Sequence, residues 1–119
     1  MTVLTQGIQP YEFLLSESDG MRSRDQFTAT VAGAVALPSG TVVGKITATG
    51  KVIKYVDGAS DGSQTAVGVL GTPLPGVNGD YKATVFTRDC EVIGMYLNGG
   101  VALDANGQAD LKALGIIIR

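Results

Sequence analysis

Hydrophobic and polar positions alternate with a period of two along most of this chain, and the longer helical spacing is nearly absent. The clearest alternation lies in residues 37–70, LPSGTVVGKITATGKVIKYVDGASDGSQTAVGVL. There, β-branched runs at 41–47, 51–56 and 65–70 are separated by segments of Gly, Ser, Thr, Ala and Asp. This predicts strand, turn, strand, loop, strand. In the first run Val42, Gly44 and Ile46 face one way and Thr41, Val43, Lys45 and Thr47 the other, which predicts one drier face. Ala48-Thr49-Gly50 is short enough to reverse the chain, with Gly50 supplying the positive φ that a tight hairpin needs. The polar link 57–63 is expected on the surface.

The same pattern extends outward. Phe27, Ala29 and Val31 alternate with Gln26, Thr28 and Thr30, a strand over 26–31. Gly71-Thr72-Pro73-Leu74-Pro75-Gly76 must end a ladder, because proline removes a donor and glycine weakens the strand. Asn78-Gly79 is a turn signal ahead of another alternating run at 81–88. Residues 91–97 fit either a strand or a short helix, and Asn98-Gly99-Gly100 closes them. A helix is expected only near the end, capped by Asp104 or Asn106, running through 109–114 and stopped by Gly115. Ile116-Ile117-Ile118 then reads as a terminal strand. The expectation is a mainly β, small single domain with short helical turns.

The first residues differ from the rest. The apolar cluster Tyr11-Glu12-Phe13-Leu14-Leu15 is followed by Ser16-Glu17-Ser18-Asp19-Gly20-Met21-Arg22-Ser23-Arg24-Asp25, where charged and small polar residues alternate. Such a segment buries too little area by itself to offset its ordering entropy. Residues 1–25 are therefore expected to form an extended N-terminal arm and residues 26–119 the domain. The alternative is that Phe13, Leu14 and Leu15 form a first strand of the domain's own sheet.

Composition adds one positive inference and several exclusions. Only 17% of residues are charged, against roughly 25% in an ordinary domain, so surface hidden in an oligomer is expected. Net charge is −2 and no run of Lys or Arg exists, which argues against direct nucleic-acid binding. Cys90 is the single cysteine, so no intrachain disulfide forms and a reducing compartment is compatible. Neither a basic, apolar leader nor a membrane-length apolar run is visible, so a soluble product, intracellular when made and with no membrane partner, is expected.

Candidate chemistry is sparse. With no histidine, Ser-His-Asp and Cys-His arrangements and the usual histidine metal sites are ruled out. Cys90 sits between Asp89 and Glu91, which disfavour its thiolate. Residues 40–45 superficially suggest a phosphate loop. The first required glycine falls on Ser39, and Ile46 stands where Ser or Thr must follow the lysine. Asp57 and Asp61-Gly62 fail as a calcium loop, since Ala59 and Gly68 occupy ligand positions. Asp57, Asp61 and Asp80 sit in glycine-rich turns, where carboxylates are usually solvated. No enzyme activity, metal or cofactor is expected. One alternative is a lipoyl- or biotinyl-like carrier domain that would display Lys51 beside a hairpin tip, although Gly50 and Val52 replace the flanking residues such carriers use; the other is a generic β-rich binding module.

Several segments in order resemble a known family. They are Phe13-Leu14-Leu15-Ser16-Glu17, Gly20, Ser23-Arg24, the stretch 37–45, Asp61-Gly62-Ser63-Gln64-Thr65-Ala66-Val67-Gly68-Val69-Leu70, Arg88-Asp89-Cys90-Glu91-Val92 and Leu114-Gly115-Ile116-Ile117-Ile118-Arg119. Together, from about residue 12 onward, they resemble the bacteriophage head decoration protein D family, typified by the lambda protein. The resemblance implies a β-clip-like fold and a non-enzymatic homotrimer on the outer capsid surface of the virion. It would bind the major capsid protein at local threefold positions of the expanded head and stabilise the shell against internal DNA pressure. It also implies a shell-contacting role for Phe13, Leu14, Leu15, Ser16, Arg22, Ser23 and Arg24, where the arm motif falls.

Overall fold

The computed structural model describes Tyr11, residues 13–18 and residues 23–119. Strands β1 (Leu14–Glu17), β2 (Arg24–Val31), β3 (Val42–Lys45), β4 (Val52–Lys54), β5 (Ala66–Leu70), β6 (Gly79–Phe86), β7 (Cys90–Val92) and β8 (Ile116–Ile118) are joined by one 3₁₀ segment, Gly94–Gly100, and one helix, α1 (Ala105–Ala113). Five strands close a barrel in the order β2-β4-β3-β5-β6, and the other three form a separate sheet, β1-β7-β8. The longest seam is antiparallel β2–β6, paired from Arg24↔Phe86 to Val31↔Gly79. The weakest is parallel β2–β4, which meets at Ala29↔Val52.

Two apolar cores follow from strand alternation. Val43, Leu70 and Val85 point into the barrel with Ala29, Val31, Val52 and Ala83, and Leu37 and Leu74 plug one end. Their chain neighbours Val42, Val69 and Phe86 point outward into a second core, where they meet Phe13, Cys90, Val92, Leu97, Leu111 and Ile116 from the small sheet, the 3₁₀ segment and α1. The barrel wall is thus buried on both faces along β3, β5 and the end of β6, whereas β2 and the start of β6 keep an exposed polar outer side with Gln26, Thr28 and Lys82. The expected drier face of 41–47 is accordingly replaced by burial on both sides, with Val42 and Val43 each 1% exposed or less.

Local chemistry sets the ends of the elements. Gly50 takes φ +74 in the turn between β3 and β4, as expected. Asp104 caps α1 by accepting from the Gly107 backbone N–H at 2.7 Å, and Gly115 follows the helix at φ +82. The ambiguity over 91–97 resolves into both alternatives, strand β7 and then the 3₁₀ segment. The link 57–63 is not wholly superficial, because it folds back on β3. Ser63 is buried, and a Cβ at Gly44 would lie 2.6 Å from its backbone.

The N-terminal segment follows the alternative reading where it is described. Residues 14–17 are an edge strand of the domain's own sheet, paired to β7 from Leu14↔Val92 to Glu17↔Cys90. The expected boundary at residue 25 falls inside β2, since Arg24 and Asp25 pair with Phe86 and Val85. The physical reason is Phe13, which is fully buried and packs edge-on against Phe86 with ring centroids 5.6 Å apart. The rest of the expected arm, residues 1–10, 12 and 19–22, lies outside the described residues.

Truncating Phe13 to Ala should lower stability by about 3–5 kcal/mol, a large-to-small loss at a fully packed site. Thermal and urea unfolding measure this, and a change within experimental error would place Phe13 outside the core. A second expectation concerns acid. Asp25 accepts from Thr87 Oγ1 at 2.8 Å and pairs with Arg88, which together hold its carboxyl below the usual value of 3.8. A carboxylate depressed in the folded state stabilises fully above its unfolded pKa, and that stability disappears as pH falls through the folded value. Asp25→Asn should therefore flatten the acid limb of the stability curve below about pH 4, and an unchanged limb would show that Asp25 is not a source of acid sensitivity.

Candidate functional site

The segment expected to contact the shell is held by three sets of contacts. Tyr11 N–H donates to Ser39 Oγ at 2.9 Å, and that hydroxyl donates to Gly71 O at 2.8 Å, which ties the chain to the barrel's rim. The Ile93 N–H donates to Phe13 O at 2.7 Å, beside the β1–β7 ladder. At the far end Arg24 donates to both carboxylate oxygens of Glu17, at 3.1 and 2.7 Å. Its guanidinium lies 5.0 Å from the Phe86 ring centre and 5.2 Å from that of Tyr11. Ser23 Oγ donates to Asp89 O at 3.0 Å and accepts from Ser18 N–H.

These contacts sort the expected residues. Phe13 and Ser23 are fully buried, Leu14 is half-buried against the second core, and Arg24 is half-buried in its ion pair. Leu15 and Ser16 are exposed. Arg22 lies outside the described residues. The exposure of Leu15 has a backbone cause: the register steps from Leu14↔Val92 to Ser16↔Glu91, so Leu15 is the extra residue of a bulge. Bulges on edge strands re-aim side chains, and here Leu15 is 53% exposed. Across the sheet Ser16 aligns with Glu91 and Glu91 with Ile117, while Arg119 Nε pairs with Glu91 at 3.0 Å. The outer face of β1-β7-β8 thus presents Leu15, Ser16 and Ile117 around a paired carboxylate.

The other candidate groups are engaged in turns and pairs. Lys51 Nζ pairs with Asp80 at 2.6 Å, and Asp80 also accepts from Thr30 Oγ1 at 2.9 Å. The lysine of the carrier alternative is therefore tied to β6. Asp61 Oδ1 accepts from Ser63 N–H and Oγ, at 3.0 and 2.6 Å, closing its own turn. Asp57 Oδ1 accepts from Asn106 Nδ2 at 3.0 Å and from the Tyr55 hydroxyl at 3.3 Å, joining the link to α1. Among the described residues no group of three or more His, Cys, Asp or Glu is placed to hold a metal ion, and no helix is long and apolar enough to cross a membrane. Cys90 is buried; that burial, with Glu17 and Asp89 nearby, pushes its thiol up to about 11.

Sequence reasoning missed the bulge at Leu15, the hydroxyl link through Ser39 and a second set of exposed apolar side chains. Val35 and Val56 flank a groove where β2 and β4 diverge, lined also by Val31, Leu37 and Ile53. Met95 and Val101 stand out from the 3₁₀ segment and the residue after it. The low charge content is the one signal that foreshadowed them.

A closed barrel braced by a small sheet, with an edge strand turning a leucine outward, defines a small, mainly β single domain. The chain belongs to the bacteriophage lambda head decoration protein D family, whose model matches residues 3–116. No curated protein matches the chain. Membership supports a capsid decoration role and implies a location on the virion capsid, the family being one of structural capsid decoration proteins and not of enzymes.

The thiol supplies a test of how tightly β1, β7 and the second core are closed. In native protein at neutral pH Cys90 should react with a disulfide reagent only at the rate of unfolding, and in denaturant at once. Rapid stoichiometric labelling of native protein would mean the β1–β7 seam opens readily.

Proposed function

We propose that the protein is a cement subunit that acts as a homotrimer, seats on local threefold positions of an expanded head by binding the major capsid protein, and braces the shell against packaged DNA. The observation that carries this reading is the outward-turned Leu15 on edge strand β1, in a chain matched by the decoration family's model over nearly its whole length. An edge strand offers backbone donors and acceptors to a strand of another protein, and an exposed leucine beside it supplies apolar area. Leu15 and Ser16 are the contact residues in this proposal, and Arg22 remains a proposed contact. Phe13, Leu14, Ser23 and Arg24 position them.

Trimerisation is supported by the chain's chemistry. A cyclic trimer joins two different patches of each subunit, and the Val35–Val56 groove and the Met95–Val101 projection are two such apolar surfaces on separate parts of the molecule. Three weak attachments on one rigid body then act together, because after the first engages the others bind at high effective concentration.

The test uses undecorated expanded heads. Leu15→Asp should weaken binding at least about tenfold, since burying a leucine is worth roughly 2 kcal/mol per contact. Its melting temperature and its trimeric native mass should match those of the unmodified protein, as expected for an exposed position. Unaltered head binding by the variant would remove Leu15 from the contact, and a monomeric native mass for the parent protein would remove the trimer.

A further inference from the structure

Every asparagine in this chain, Asn78, Asn98 and Asn106, is followed by glycine. Glycine lacks the side chain that hinders attack of the following backbone nitrogen on the asparagine amide, so each pair has the covalent chemistry for spontaneous ring closure. The fold treats the three differently.

Asn106 lies in the first turn of α1. The nitrogen that would attack, that of Gly107, is buried and donates to Asp104 Oδ1 at 2.7 Å. Asn98 is half-buried and pinned from three sides. Its N–H donates to Gly40 O at 3.0 Å, its carbonyl accepts from Val101 N–H at 3.3 Å, and its Oδ1 accepts from Val42 N–H at 2.9 Å. Asn78 and Gly79 are both exposed, and Gly79 sits at φ +150 in the last pair of the β2–β6 ladder, where opening costs least. Ala34 N–H donates to Asn78 Oδ1 at 2.6 Å. A donor on the side-chain oxygen stabilises the negative charge that develops there as the carbonyl carbon is attacked; Asn98 has such a donor too, in Val42 N–H, so what sets Asn78 apart is its exposure and its place at the end of the ladder.

We propose that Asn78 is a site of spontaneous deamidation in the folded protein, and that Asn98 and Asn106 are protected by the contacts just described. The Gly79 nitrogen forms a bond to Asn78 Cγ and its proton passes to water. The Cγ–Nδ2 bond breaks and the nitrogen leaves as ammonia. Water then opens the succinimide at one carbonyl or the other, giving aspartate or isoaspartate; the balance is amide and water to acid and ammonia, with no oxidant or reductant.

The consequence is local to one end of the barrel. Ala34 occupies the left-handed region at φ +54, disfavoured for alanine, and its N–H bond to Asn78 holds loop 32–36 there. Aspartate keeps an acceptor at that place. Isoaspartate inserts a methylene into the main chain and withdraws it, which releases the loop carrying exposed Val35. Each conversion also adds a negative charge to a chain whose net charge is −2.

The experiment incubates native protein in mildly alkaline buffer beside a sample held unfolded in urea, and follows both by intact mass and peptide mapping. In the unfolded sample all three asparagines should convert at similar rates. In the native sample conversion should concentrate at Asn78, roughly tenfold or more ahead of Asn98 and Asn106, because those two must first open locally. Asn78→Gln should abolish the early mass gain. An intact Asn78 in native protein over the time the unfolded sample converts, or equal conversion at all three sites, overturns the proposal. Amide exchange at Ala34 tests the consequence: its protection should fall in the isoaspartate fraction and persist in Asn78→Asp, and unchanged protection in the isoaspartate form would show that the loop does not depend on this bond.

Discussion

The edge-to-face contact of Phe13 with Phe86 joins the two halves of this structure. Phe86 ends β6, the strand with the longest partner in the barrel, and alternation sends Val85 into the barrel and Phe86 out of it. The outward ring needs cover, and Phe13, Tyr11 and the Arg24 guanidinium supply it from the N-terminal segment. Space for this arrangement is left by small residues. A Cβ on Gly71 would lie 2.9 Å from both Phe86 and Tyr11, and one on Gly40, at φ +92, 2.8 Å from the Tyr96 carbonyl and 3.4 Å from Phe13. The second core, the small sheet and the placement of β1 all depend on this pairing.

Two-sided burial of β3, β5 and the end of β6 removes positions for charged side chains. Those present lie mainly on the exposed sides of the other strands and beside them. There they pair locally, as Lys51 does with Asp80, Arg24 with Glu17 and Arg119 with Glu91. Exposed pairs of this kind contribute little to stability individually. They fix geometry, and in the case of Arg24 and Glu17 they fix the end of the strand that carries Leu15.

Much of the fold was legible because it depends on local chemistry. Period-two runs gave β2, β3, β5 and β6 within a few residues, Gly50 and Gly115 marked a turn and a helix end, and the Asp104 cap was among the two positions expected. What was not legible depends on contacts distant in sequence. Nothing local says that Val42 and Val43 are both buried, because that requires a second layer assembled from β1, β7, β8 and α1. Phe13 reads as part of an extended arm because a short apolar cluster cannot repay its ordering alone, and its partner Phe86 lies far along the chain. The candidate surface was harder still. The motif pointed to the segment that holds Leu15 and Ser16, but only the register slip at the bulge separates exposed Leu15 from half-buried Leu14.

That separation changes how the proposed attachment to a shell would be energetically arranged. Ordering about six residues at the moment of binding would cost on the order of 6–12 kcal/mol of backbone entropy, close to everything that a short added strand returns at about 1 kcal/mol per hydrogen bond. Here residues 13–18 are already placed by folding, through Phe13, the β1–β7 ladder and the Arg24–Glu17 pair. The cost is met by the core, where burying Phe13 also serves the domain. An incoming capsid strand would meet a preformed edge, and the free energy of its contact with Leu15 would appear as affinity rather than being consumed in ordering β1. Rigidity at β1 and the proposed attachment at Leu15 would in this sense be one property, set by a phenylalanine two residues away that faces the opposite side.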